Sequence, residues 1–235
     1  MYDEEYVHQL EDTIRKFIEP ISGVPFPIVI KALTGFKVLS FDKNSPKEKG
    51  LLGRLISATS LACKSANESG IFTNRPNEVG NHIEPFVRDA LKSIGMQAEI
   101  PKTKSGIHKA TGYPDIYVED VDGTPFYLEC KTYNEKSIDS SFRAFYMSPS
   151  EDPKITKDAY HFLVSFEIEE SIRSGRRAYV PIHWRLYTLE LMKVQVKHEF
   201  NASNKDMYIQ EALIAEGDVS GPDNQPVGLD RRGDG

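Results

Sequence analysis

The sequence predicts an α/β chain in which helices flank a small mixed β-sheet, with a helical flank at the N-terminal end. Three observations carry this. Apolar residues recur at three- and four-residue steps in 4–18 and again after Arg75-Pro76-Asn77, as one face of a helix requires. Between 115 and 133 the period switches to two on either side of Asp122-Gly123, the pattern of paired strands around a turn. Hydrophobic residues are 39% of 235 positions, enough with 16 glycines for a globular chain of one large domain.

In order along the chain, Tyr6, Leu10, Ile14, Phe17 and Ile18 mark the first helix. Pro20, Gly23, Pro25 and Pro27 interrupt it, and a short apolar segment, 28–33, ends at Gly35. Residues 36–41 read as a strand. Ser45-Pro46-Lys47-Glu48 reads as a helix start, with Ser45 as N-cap, Pro46 as first helical residue and Glu48 as the return arm of a capping box. That helix runs on through Leu51, Leu52, Leu55 and Ile56. A further helix starts near Asn77-Glu78 and puts Val79, Ile83, Val87, Ala90 and Leu91 on one face. Pro85 is expected to kink or split it, and Gly95 to close it. Residues 98–100 open a strand, and 101–112 form a polar loop. Strands follow at 115–119 and 126–133, then a helix running into a strand over 155–166, then an alternating strand at 193–197. From Ala215 the composition of Gly, Pro, Asp and Asn predicts disorder.

Charge and cysteine content exclude more than they assign. The net charge is −6 from 29 basic and 35 acidic residues. Residues 205–235 hold seven acids against three bases, so the body of the chain is nearly neutral. That excludes a histone-like coating protein and leaves room for a local basic groove. Two cysteines, Cys63 and Cys130, make no disulfide framework, and a reducing cytoplasm is the simpler location. The N-terminal residues lack the pattern of a secretory signal, and no stretch is apolar enough to span a membrane. The six histidines have no metal-ligand spacing.

The informative constellation is Pro114-Asp115, thirteen intervening residues, then Glu129-Cys130-Lys131. Residues two apart on a strand share a face, so Glu129 and Lys131 project together while Cys130 faces the apolar side. An odd-numbered loop, for instance Val121-Asp122-Gly123, would set Asp115 beside Glu129; a two-residue loop would set it beside Cys130. Two carboxylates with an ammonium beside them make a hard-oxygen site for a divalent cation such as Mg²⁺, to which the Cys130 backbone carbonyl could add an oxygen. A solvated strand face with a surface ion pair would carry the same Glu129 and Lys131.

Pro114-Asp115 with Glu129-Cys130-Lys131 resembles the signature of the PD-(D/E)XK nucleases, and Gly80-Asn81-His82-Ile83-Glu84 resembles the glycine-and-glutamate helix that precedes it in many members. The resemblance spans about 74–133. It implies a restriction-endonuclease-like core in which Asp115 and Glu129 hold Mg²⁺, Lys131 orients or deprotonates the water, and Glu84 is an auxiliary acid, with Glu78 as its competitor. Size and the lack of any ATP motif look most like a type II restriction endonuclease acting on a specific short sequence of double-stranded DNA. The resemblance further implies a homodimer and a cognate DNA methyltransferase in the same system. On this reading 1–70 is the helical flank, 71–213 the nuclease core with its DNA-recognition loops, and 214–235 a disordered acidic tail. The alternatives are a structure-specific repair or recombination nuclease and a non-catalytic DNA-binding module on the same fold.

DNA contacts are expected from two places. Lys102, Lys104, His108 and Lys109 sit in the loop that leads into Pro114-Asp115. Arg143 and Lys154, with Lys157 extending the basic side, follow the second strand; Arg143 would reach guanine edges or a phosphate.

Overall fold

A computed structural model of the chain describes residues 3–73, 78–134, 145–197 and 202–214, together with the backbone of 215–216 and 227–228. The candidate N-cap Asn77, the candidate DNA contact Arg143 and most of the expected acidic tail lie outside the described residues. The chain divides into two units, residues 21–195 and residues 1–20 with 196–235.

Within residues 21–195, β1 (Ile21–Pro25) leads into α2 (Phe26–Thr34), and α1 (Glu4–Ile18) precedes them in the other unit. α2 begins with a proline in its first turn, where no backbone donor is lost. It ends at Gly35, whose φ of 81° places the N–H for a 3.0 Å bond to the Lys31 carbonyl. The expected strand at 36–41 is reduced to one parallel bridge, Val38 with Ala159. α3 (Pro46–Ser69) starts where Ser45-Pro46 predicts. Ser45 makes no side-chain cap bond, and Glu48 is buried, accepting from the Tyr160 hydroxyl at 2.7 Å. The carboxylate thus bonds a tertiary partner as well as Ser45 at the helix start, and the two hold it below the usual carboxylate range.

α4 (Val79–Ser93) runs through Pro85 without interruption, so the expected split does not occur. Its burial repeats at Val79, Ile83, Val87, Ala90 and Leu91, the face read from the sequence. The main sheet has five strands in the order β2 (Gln97–Glu99), β3 (Ile116–Glu119), β4 (Pro125–Tyr133), β5 (Tyr160–Arg173) and β6 (Arg176–Thr188). All its neighbours are antiparallel except β4 and β5, which run parallel. A short strand β7 (Lys193–Val196) pairs with β1. The other unit holds α1, α5 (Asn204–Met207) and the two-residue pair β8 (Ala215–Glu216) and β9 (Val227–Gly228).

Alternation along the strands gives the sheet two apolar faces. One packs Phe126, Leu128, Cys130, Phe162, Val164 and Phe166 against Leu51, Leu55, Ala58, Ala62 and Ala66 of α3 and the buried face of α4. α3 lies inside the stretch read as a flank, yet it contributes to this main cluster. The other face packs Tyr127 and Leu163 with Phe26, Ile30, Tyr113, Ile155 and Leu189. Each large side chain so buried contributes about 1.5–3 kcal/mol of transfer free energy. Residues 155–159 are not helical, contrary to expectation, and β6 is a long strand the sequence reading did not assign. Among the described residues no helix is long and apolar enough to cross a membrane.

Candidate active site

The β3–β4 hairpin sets the geometry. Its register pairs Ile116 with Leu128 and Tyr117 with Tyr127, which continued one step brings Asp115 opposite Glu129. The loop between the strands has the odd length this register needs. It is closed by Asp120 N–H to the Thr124 carbonyl at 2.9 Å and Gly123 N–H to the Asp120 carbonyl at 2.8 Å. Asp120 is buried, caps the turn through Val121 N–H, and is held by Arg54 of α3 through both carboxylate oxygens.

Asp115 stands just before the first residue of β3. Its Oδ2 accepts from the Cys130 backbone N–H at 2.8 Å, a bond that takes the place of the missing strand partner. In an extended strand a residue's N–H and C=O leave along the same edge, so the Cys130 carbonyl is directed toward Asp115. Its thiol packs in the core on the helix-covered face, and burial pushes that thiol well up.

Glu129 is 3% exposed. Oε1 receives the Lys131 ammonium at 2.6 Å, and the buried Oε2 has no partner. Burial and the Asp115 charge raise Glu129 to about 7. Asp115 is also raised, by burial above all, against the Cys130 N–H and the Lys131 charge. Burial works to lower Lys131, but Glu129 and Asp115 outweigh it and raise it. Glu84 projects from α4, 3.9 Å from Arg88, and is lifted to about 7 by burial and then by Asp115. Glu78 stands at the start of the same helix, where the Thr73 hydroxyl donates to it at 2.7 Å. Glu84, further along that helix and within reach of the Asp115 charge, is the acid brought to the pair.

Lys154 is placed differently from its expected role on DNA. It is buried, and its ammonium donates to the carbonyls of Gly112 and Pro114, in the short segment that leads into Asp115. Burial lowers it, with Asp115 and Glu129 opposing. Lys154 therefore positions the Pro114-Asp115 segment and is not a surface cation. Lys157 is likewise occupied, by Glu119 at 2.7 Å and the Tyr117 hydroxyl at 2.8 Å. Tyr113 is pinned from behind by His161 Nδ1 at 2.5 Å; His161 is buried and depressed to about 3. Neither Lys154 nor His161 carries a sequence signal for this work, because their partners lie 40 and 48 residues away.

In the 101–112 loop, Lys102, Lys104, His108 and Lys109 are all exposed. Lys102 is 3.6 Å from Glu99, and His108 Nδ1 donates to the Ile100 carbonyl at 2.8 Å. Asp152 braces the loop tip through Ser105 N–H at 2.8 Å and the Ser105 hydroxyl at 2.6 Å.

The donor set is suited to a hard divalent cation: two carboxylates that burial makes reluctant to ionise alone, an orphaned Glu129 oxygen, and an inward carbonyl. Among the described residues, no three His, Cys, Asp or Glu side chains close on a common point as placed. The carboxylate pair with the carbonyl is the arrangement that fits.

A family model described as the type II restriction enzyme MjaV family matches residues 21–211. The chain belongs to that family. The type II restriction enzyme MjaV of Methanocaldococcus jannaschii is 37% identical over 234 residues, 93% of this chain and all of that protein. No solved structure matches. As a member of the MjaV family, the chain is an endodeoxyribonuclease of the restriction type. The matched span contains every candidate site residue, from Glu84 to Lys154. Membership decides for a restriction enzyme over a repair nuclease or a non-catalytic module.

Proposed function

We propose that this restriction endonuclease is a PD-(D/E)XK enzyme that uses Mg²⁺ to hydrolyse both strands of a specific short duplex sequence. The observation that supports this most directly is the register of β3 and β4, which sets Asp115 across from Glu129 with Lys131 on the same face. Asp115, Glu129 and the Cys130 carbonyl would hold the ion. Bound there, a divalent cation supplies Lewis acidity to a phosphoryl oxygen and acidifies the attacking water.

The chain's own residues do the rest. Cys130 N–H fixes the rotamer of Asp115. Lys154 fixes the backbone that carries it. Lys131, whose ammonium lies against Glu129 on the same strand face, would orient the water and offset charge gathering on the phosphate. Glu84 stands beside this pair as an auxiliary acid able to take a proton near neutral pH. Lys102, Lys104, His108 and Lys109 would contact the DNA backbone beside the site, and Arg143 is kept as a candidate base or phosphate contact. A homodimer matches a two-fold target, and a cognate methyltransferase would protect the host sequence.

The test is digestion of several sequenced plasmid and phage DNAs with Mg²⁺ or with EDTA. Discrete Mg²⁺-dependent fragments are expected, with mapped ends giving the site. Asp115→Ala and Lys131→Ala are each expected to abolish cleavage while DNA binding persists. Full activity in either variant would overturn the assignment.

A further inference from the structure

The sheet register carries the catalytic face beyond the residues assigned to it. Lys131 of β4 pairs with Ser165 of β5, and Ser165 pairs with Arg185 of β6. Paired residues project from the same face of a sheet, so Lys131, Ser165 and Arg185 form one row across three strands. Two further observations fix that face. Trp184 and Leu186, the neighbours of Arg185 along β6, pack against the core cluster covered by α3 and α4, which sends Arg185 the other way. The Arg185 guanidinium lies 5.3 Å from the ring centroid of Tyr133, two residues beyond Lys131 on the same face. Neighbouring strands are about 4.8 Å apart, so the backbones of Arg185 and Lys131 are about 10 Å apart, within the span of a few nucleotides.

Arg185 shares its kind of partner with Arg176, which lies on the Phe72 ring, and differs from the arginines that meet carboxylates. Arg54, Arg88 and Arg177 each meet a carboxylate, whereas Arg185 has the Tyr133 ring as its partner among the described residues. A guanidinium laid on an aromatic face is oriented with its edge donors still available, which suits a phosphate. The row on one side ends in exposed Tyr187, opposite Leu163 and Glu129. The row on the other side holds Glu167, to which Tyr133 donates at 3.3 Å, and its carboxylate bounds the track there.

We propose that Arg185 is a DNA-phosphate contact that seats the strand being cut, a short way along the backbone from the phosphate held at Asp115, Glu129 and Lys131. This rests on the reading of that site as the DNA-cleaving centre.

The test is the salt dependence of duplex binding, with Ca²⁺ in place of Mg²⁺, on a duplex carrying the mapped cleavage site. Each phosphate contact contributes about 0.9 to the slope of log K against log salt. Arg185→Gln is expected to weaken binding about tenfold and flatten the slope by about 1 per protomer, and Arg185→Lys to keep the slope. If Arg185→Gln fails to fold, Arg185→Met, which keeps the alkyl stem against Tyr133, carries the same expectation. A folded charge-removing variant with unchanged slope overturns the role of Arg185 alone. Wild-type protein that binds no duplex overturns the reading of the site, and this proposal with it.

Discussion

Glu129 gives one oxygen to Lys131 and keeps the other buried without a partner, and stability and catalysis pull on it in opposite directions. Its folded pKa of about 7 lies above the ordinary 4.5. Between those values the folded chain holds a proton that the unfolded chain has released. The stability that neutral Glu129 contributes is therefore full below about 4.5 and is lost as pH rises through about 7. Metal-free wild-type protein should lose melting temperature between pH 5 and pH 8, and Glu129→Gln should lose less while cleaving no DNA. Mg²⁺ at pH 8 should raise the melting temperature of the wild type and leave that of Glu129→Gln nearly unchanged. Cleavage needs the ionised carboxylates, and Mg²⁺ competes with the proton for them, so the pH below which cleavage falls should move down as Mg²⁺ is raised.

Lys154 separates two readings at the same scale. Lys154→Met should slow cleavage tenfold or more, because a displaced Asp115 misplaces whatever it holds. The salt slope of DNA binding should be unchanged, since the ammonium faces Gly112 and Pro114 and not solvent. A flattened slope would return Lys154 to the DNA surface where its sequence context had suggested it.

At the scale of elements, the β3–β4 hairpin is the unit that makes the site, and α3 holds its turn. Arg54 reaches Asp120 through both oxygens, and the Asp120 side chain is 1% exposed. Arg54→Ala should lower stability by about 1–3 kcal/mol, read from denaturant midpoints, because a buried acceptor loses its principal donor. Much of this hairpin was legible beforehand. Alternation over 126–133 and the turn signal at Asp122-Gly123 imply antiparallel strands, and an odd loop implies Asp115 beside Glu129. The helix face of α4 was equally legible, because its period is local. What failed were segments whose state depends on distant partners. Residues 36–41 are β-prone but find only a single bridge, at Ala159. Residues 155–159 are fixed by contacts to remote backbone and core, with Thr156 N–H on the Tyr127 hydroxyl and Lys37 N–H on Asp158. β6 went unread although Ser174-Gly175 makes its hairpin turn with both residues at positive φ, 51° and 72°.

At the scale of the whole molecule, every residue of both core clusters lies between Phe26 and Val194, inside the family match and inside one unit. α1 buries none of its residues. A chain beginning at residue 21 should therefore keep the sheet and both clusters, with a far-UV spectrum short of one helix and a thermal transition close to that of the full chain. By itself the sequence determined the local things: helix periods, the hairpin, and the shared face of Glu129 and Lys131. These follow from backbone geometry repeated every two or 3.6 residues. The register was left open between an odd and a two-residue loop until the strand pairing chose the odd one. Only the tertiary structure decided which cations are taken up by the protein's own groups and which stay exposed. Lys154 and Lys157 stand in the same polar stretch as exposed neighbours, and packing alone turned one onto backbone carbonyls and the other onto Glu119. Arg185 met the row of Lys131 through two successive strand pairings, Lys131 with Ser165 and Ser165 with Arg185. A long cationic side chain has the same local preferences in either role, so its partner is chosen by whatever the fold brings within its reach.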